Sequence, residues 1–149
     1  MKKIINIALV LCLCVLLTGC GKTVKCTSTS KQKKYTMDTE QVIKTKGDIV
    51  TSITTKYVIV SKDKKTLKDF KKQLEDQAKS NDATYKGYDC RASIKKDKLT
   101  VNITIDYKKF DLDKFVKDNA AMKEYVNKDN KLTVDGAKKM YKASGATCK

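Results

Sequence analysis

Residues 99–107, LTVNITIDY, decide the fold of this chain because apolar and polar side chains alternate along them without a break. Leu99, Val101 and Ile103 fall on one side of such a segment and the threonines and Asn102 on the other. Residues 88–95, YDCRASIK, show the same period of two, and the charged KKDK at residues 95–98 joins the two runs. A period of two is typical of a half-buried strand, so the sequence predicts an antiparallel hairpin here.

The sequence before this hairpin predicts a second hairpin and a helix. Residues 35–60 are rich in Thr, Val, Ile and Tyr, which favour strands, and the turn signal at residues 46–48 divides them. Leu67, Phe70, Leu74 and Ala78 then recur at helical spacing, and Thr66 is the predicted N-cap of that helix. Further upstream, Val24 and Cys26 favour a first strand, and residues 28–34 are expected to form a loop.

The sequence after the hairpin predicts two more helices. One begins at Asp111 and runs to Met122, and the other begins at a Thr133 cap and ends at Gly145. The short tail 146–149 is expected to add an edge strand. Together these patterns predict a single α+β domain in which helices cover one face of an antiparallel sheet.

The amino-terminal segment predicts a lipoprotein signal peptide over residues 1–19. Lys2 and Lys3 precede an apolar run at residues 4–17, which is short for the roughly 20 residues that a membrane-spanning helix needs. The following LTGC, residues 17–20, resembles the lipobox of bacterial lipoproteins, which implies cleavage before Cys20 and a diacylglyceryl anchor on its thiol. We therefore expect residues 20–149 to form a domain anchored by lipid on the extracytoplasmic face of the cell membrane. A short transmembrane anchor is the alternative.

The charge of the chain favours anionic partners and excludes several kinds of active site. Loss of Lys2 and Lys3 would lower the formal charge from +16 to +14. The favoured interpretation is that the lysines keep the surface soluble, and electrostatic binding of an anionic envelope polymer is the alternative. Arg91 is the only arginine, so no sequence-specific nucleic-acid recognition is expected. The absence of histidine removes the commonest general base and metal ligand. A sugar site would have to use tyrosines, because the chain has no tryptophan.

Three cysteines remain beside Cys20 after the predicted cleavage. Cys26 and Cys148 lie near the two ends of the domain, so we expect a Cys26–Cys148 disulfide with Cys90 free on an apolar strand face. Three reduced thiols are the alternative. No metal site or cofactor is expected, because no cysteine pair has CxxC spacing and the acidic DLD at residues 111–113 is suited to capping a helix.

The lipobox, the run LTVNITIDYKKFDLDKF and the ending LTVDGAKKMYKASGATCK together resemble the YehR-like family of small bacterial lipoproteins. The resemblance covers most of residues 20–149 and implies a one-domain α+β lipoprotein of unknown function, with no catalytic residue to carry over. The cysteines at positions 26, 90 and 148 depart from the pattern expected of that family.

We expect a non-enzymatic binding or envelope-associated module with no known protein partner. A carboxylate-dependent envelope hydrolase and a salt-sensitive binder of anionic wall polymer or DNA are the alternatives.

Overall fold

The computed structural model describes residues 21–149, so the predicted signal peptide and Cys20 lie outside the described residues. Its centre is a six-stranded, fully antiparallel sheet in the order β4-β5-β3-β2-β1-β6. The strands are β1 (Thr23–Lys31), β2 (Thr36–Lys46), β3 (Ile49–Val60), β4 (Tyr88–Lys95), β5 (Lys98–Asp106) and β6 (Thr147–Cys148). Three α-helices pack on this sheet: α1 (Lys64–Tyr85), α2 (Leu112–Asp118) and α3 (Val134–Ala143). The predicted single α+β domain is confirmed.

Both predicted hairpins are present, and their turns have the backbone geometry that short strand connections need. Gly47 has φ +60° between β2 and β3, and Lys96 has φ +55° between β4 and β5. Exposure alternates residue by residue along β4, as its period of two predicted. The short tail also pairs with β1 as the predicted edge strand, opposite Cys26.

Two sequence predictions about the first half of the chain were wrong. Residues 28–31 continue β1 and pair with β2 up to Lys31–Thr36, because alternating serine and threonine form a strand when a neighbour supplies the hydrogen bonds. The N-cap of α1 is Asp63, whose carboxylate accepts from the backbone N of Lys65 at 2.9 Å, and Thr66 donates its hydroxyl to that same carboxylate. A carboxylate at the positive end of the helix satisfies amide groups that lack a partner inside it.

The second helix is shorter than predicted and the third matches the prediction. Asn119 ends α2 by donating both its backbone N and its side-chain amide to the carbonyl of Phe115, and Met122 falls in the following 3₁₀ turn, Ala120–Glu124. Thr133 caps α3 by accepting from the backbone N of Gly136 at 3.0 Å. Gly145, at φ +86°, ends it in a left-handed turn that pairs the last carbonyls.

The helix-covered face of the sheet carries two separate apolar clusters. One lies beneath α1 and is built on Ile59, Leu67, Leu99 and Val101. The other lies beneath α3 and contains Cys26, Ile43, Ile53, Leu132 and Ala137, among others. The opposite face of the sheet is polar, as shown by the hydrogen bond between the Thr54 and Thr104 hydroxyls at 3.0 Å. The gap between the two clusters is where the candidate site lies.

Within residues 21–149, none of the helices has both the length and the apolar character to cross a bilayer.

Candidate binding cleft between two helices

A cleft of about 220 Å³ opens between α1 and α3 above the central strands β2, β3 and β5. Its floor comes from the strands and its walls from side chains of the two helices and of β4. The lining residues are Gln41, Thr55, Tyr57, Leu74, Gln77, Ala78, Asn81, Tyr88, Ile103, Ile105 and Tyr141. Concave sites of this kind, with apolar walls and a few convergent polar groups, are where small ligands bind in proteins.

Strand register places polar side chains at the centre of the cleft floor. Gln41 on β2 and Thr55 on β3 are direct partners, so both point to the helix-covered face. Ile43 and Ile53, the neighbouring partners on the same face, are fully buried and apolar. On the other side of this pair, Thr39 and Tyr57 are partners on the same face, so polar groups replace apolar ones along the floor of the cleft.

Gln41 is the most unusual residue of the cleft. Only 7% of its surface is exposed, and its Oε1 atom accepts no hydrogen bond from any group within residues 21–149. A buried acceptor without a partner costs about 1–3 kcal/mol, and buried polar groups are nearly always paired. Gln41 lines the cleft, so a small turn of its side-chain amide would let this oxygen accept a hydrogen bond from a molecule held there.

Three tyrosines line the same cleft, and their hydroxyl groups stay protonated. Burial raises the pKa of Tyr141 to about 12, against a smaller opposing effect of its hydrogen bond with Thr55. Burial also raises the pKa of Tyr57 and of Tyr88. These hydroxyls are therefore neutral at physiological pH, and each is able both to donate and to accept a hydrogen bond.

The cleft is also free of formal charge. Asp, Glu, Lys and Arg make up 34% of the chain, yet none of the residues that line the cleft is charged. A charged ligand would lose its hydration there without gaining an opposite charge. The lining therefore suits an uncharged molecule.

The predicted cysteine pairing is confirmed. Cys26 and Cys148 form a disulfide that joins β1 to β6, and Cys26 is fully buried. Cys90 is free, as predicted; it is half-buried and packs against the cluster beneath α1. Burial, with smaller contributions from Glu75 and Asp89, raises the pKa of its thiol, which disfavours the reactive thiolate. None of these cysteines lines the cleft.

A second groove beside α1 gathers acidic side chains, but their contacts are with neighbouring residues. Glu75, Asp82 and Asp89 line it together with Cys90. The carboxylate of Asp82 accepts from the backbone N of Tyr88 at 2.9 Å, Asp89 pairs with Arg91 at 3.1 Å, and Glu75 lies 3.8 Å from the Lys71 ammonium. Among residues 21–149 there is no group of three or more Cys, Asp or Glu side chains arranged to hold a metal ion.

Asp111 and Asn127 have structural roles. Asp111 caps α2 by accepting from the backbone N of Lys114 at 3.0 Å. The amide oxygen of Asn127 closes the loop at residues 127–131, where it accepts from the backbone N of Asp129 and of Lys131.

The open face of the sheet mixes charges of both signs. Lys56, at its centre, lies directly opposite Glu40 on β2 and Asn102 on β5. Asp38, Glu40 and Lys56 line the same shallow depression. A polyanion would meet carboxylates as well as lysines on this surface.

Two solved structures share this architecture. The YehR protein of E. coli superposes with a TM-score of 0.52 at 17% identity, covering 87% of this chain and 92% of that one. The chain has a YehR-like fold. A protein from Streptococcus pneumoniae TIGR4 also superposes with a TM-score of 0.52, at 15% identity, covering 89% of this chain and 87% of that one. At the level of fold, the resemblance seen in the sequence is confirmed. Neither a protein-family model nor a curated protein matches the chain by sequence.

Sequence reasoning did not find the cleft of this YehR-like fold. Its polar groups are scattered over four consecutive elements, β2, β3, α1 and β4, and are completed by Tyr141 of α3, much later in the chain. The available signal was a pair of polar residues, Gln41 and Thr55, at inward positions of two predicted strands.

Proposed function

We propose that the chain is a lipid-anchored, extracytoplasmic, non-enzymatic binding module that holds a small uncharged molecule in the cleft between α1 and α3. The observation that carries the binding part is the Oε1 atom of Gln41, which is buried without a hydrogen-bond partner in residues 21–149 and borders an uncharged cleft. Such an atom is costly to the free protein, and a bound donor offsets that cost.

The proposed cellular location rests on the amino-terminal sequence and on the disulfide. Cys20 follows the lipobox-like LTG, and β1 begins at Thr23, so a lipid on Cys20 would hold the domain close to the bilayer. Two acyl chains hold a protein firmly, whereas one holds it only marginally. Disulfides persist outside the cytoplasm, which agrees with a Cys26–Cys148 bond in a protein exported in this way.

The chemistry of the side chains supports binding over catalysis. The chain has no histidine, so acid–base work would fall to carboxylates or tyrosines. Hydrogen bonds from neighbouring side chains hold the pKa of Asp118 and of Glu124 below the ordinary range, the opposite of what a general acid needs. Neither residue lines the cleft.

Electrostatic binding of an anionic polymer is the second candidate, supported by the net charge of +16 for the whole chain. Binding of that kind weakens steeply as salt is added. Binding of an uncharged molecule in the cleft would be nearly independent of salt, so a salt titration separates the two functions.

The proposed lipid anchor and location are tested by expressing the chain in cells that are grown with labelled palmitate. The unmodified chain should take up label, lose its signal segment and fractionate with the membrane, and Cys20→Ser should do none of these. An unlabelled, cytosolic wild-type protein would contradict the proposed location.

The binding site is tested by thermal unfolding of the full-length protein in detergent, with and without the small-molecule fraction of an envelope extract. Wild type should be stabilised in a dose-dependent, salt-insensitive way, and Gln41→Met should not respond. Asn102→Met is the matched control, because its register with Lys56 and Arg91 places it on the opposite face of the sheet. Equal responses from wild type and Gln41→Met would exclude the cleft.

A further inference from the structure

We propose that the ligand of the cleft is a single uncharged sugar ring, either free or at the end of an envelope glycan. The inference rests on the proposed function and names the chemical class of what the cleft holds.

The balance of polar and apolar groups in the cleft matches the surface of a sugar. Seven of the eleven lining residues carry neutral side chains that form hydrogen bonds: Gln41, Thr55, Tyr57, Gln77, Asn81, Tyr88 and Tyr141. The other four are apolar: Leu74, Ala78, Ile103 and Ile105. A sugar ring presents hydroxyl groups around its rim and C–H groups on its faces, so both sets of residues would find partners.

The polar groups of the cleft need a ligand that both donates and accepts. The Gln41 Oε1 atom requires a donor, and the Gln77 amide offers both donors and an acceptor. Tyr141 already bonds Thr55 and Tyr88 already bonds Asn81, and each of these pairs keeps further capacity to donate and accept. A sugar hydroxyl meets each of these needs. An acyl chain meets none of them and would leave seven polar side chains facing hydrocarbon, which is unfavourable.

The uncharged lining and the volume of the cleft restrict the class of sugar further. A uronic acid or an amino sugar would bring a charge to a cleft that offers no counter-charge. The volume of about 220 Å³ lies below the usual range for drug-sized ligands, so it suits one ring rather than a longer oligosaccharide. Because the chain has no tryptophan, aromatic contacts with a sugar ring would have to come from tyrosine or phenylalanine.

The test measures binding of defined sugars to the full-length protein in detergent micelles. Glucose, galactose, N-acetylglucosamine and N-acetylgalactosamine are the uncharged probes, and glucuronic acid and glucosamine are their charged counterparts. At least one uncharged sugar should raise the unfolding temperature saturably, and its charged counterpart should bind about tenfold more weakly or worse. The methyl glycoside and a disaccharide that ends in the same sugar then separate a free sugar from a glycan terminus.

Variants place the binding in the cleft. Gln41→Met should weaken binding of the active sugar by about tenfold, the size expected for one lost hydrogen bond, while Asn102→Met leaves it unchanged. Circular dichroism of each variant confirms that it is folded. A sugar that binds both variants equally, or that binds no better than its charged counterpart, would overturn the sugar assignment.

Two neutral probes that are not sugars, N-acetyl-alanine amide and cyclohexanol, separate this inference from the proposed function. If either binds in a Gln41-dependent way while no sugar does, the sugar assignment is wrong and the binding module stands. If no uncharged probe and no extract component binds in a Gln41-dependent way, both are wrong.

Discussion

The Cys26–Cys148 disulfide should supply a large share of the stability of this domain. It joins residues 122 positions apart in the sequence. In the chain-entropy treatment, a loop of that length restricts the unfolded chain by about 5 kcal/mol. Small domains are stable by only about 5–15 kcal/mol in total. The double variant Cys26→Ala, Cys148→Ala should therefore unfold at a much lower urea concentration than wild type.

Urea unfolding followed by circular dichroism measures this directly, with and without a reducing agent. Wild type should lose about 5 kcal/mol on reduction, and the double variant should not respond to the reducing agent. Cys90→Ala is the control: a half-buried free thiol should change the free energy of unfolding by about 1 kcal/mol or less. A loss on reduction of less than about 1 kcal/mol, or a non-reduced peptide in which Cys90 has a partner, would refute the reasoning.

Two further predictions concern a helix cap and the tyrosines of the cleft. Thr133→Ala removes the acceptor for the backbone N of Gly136 and should lower the free energy of unfolding by about 1 kcal/mol, whereas Thr36→Ala, at an exposed strand position, should change it by less than half as much. Burial raises the pKa of Tyr141 from its ordinary value of 10.0 to about 12. The free energy of unfolding that its neutral hydroxyl contributes should therefore be fully present below about pH 10 and be lost as the pH rises toward 12. Tyr141→Phe should make the alkaline fall in urea midpoint shallower, and an unchanged pH profile would contradict the burial of this hydroxyl.

Much of the fold could be predicted because alternation is a strong signal. The strand at residues 99–107 alternates for its whole length, and β5 is found at Lys98–Asp106. The disulfide could be predicted because its cysteines occupy the two ends of the domain, which an antiparallel sheet brings together when the last strand pairs with the first. The start of α1 was misplaced because Asp63 and Thr66 are both good capping residues, and their mutual hydrogen bond appears only in three dimensions.

The site itself was beyond the reach of sequence reasoning. In the sequence, Gln41 is one polar residue among many in a strand rich in threonine and lysine, and Tyr88 and Tyr141 are separated by more than a third of the chain. What makes them a site is that α1 and α3 pack against different apolar clusters on the sheet and leave a cleft between them. Helix placement depends on tertiary packing, which local patterns of hydrophobicity do not encode.

The free energy of unfolding of Gln41→Met tests the central claim most directly, since it asks whether this amide is retained for binding and not for stability. Methionine fills similar space without the unpaired acceptor, so the variant without ligand should be more stable than wild type by about 1–3 kcal/mol while losing its response to ligand. A variant that is less stable than wild type by 1 kcal/mol or more would mean that the amide already has its partners in the free protein, and the account of the cleft as a binding site would be contradicted.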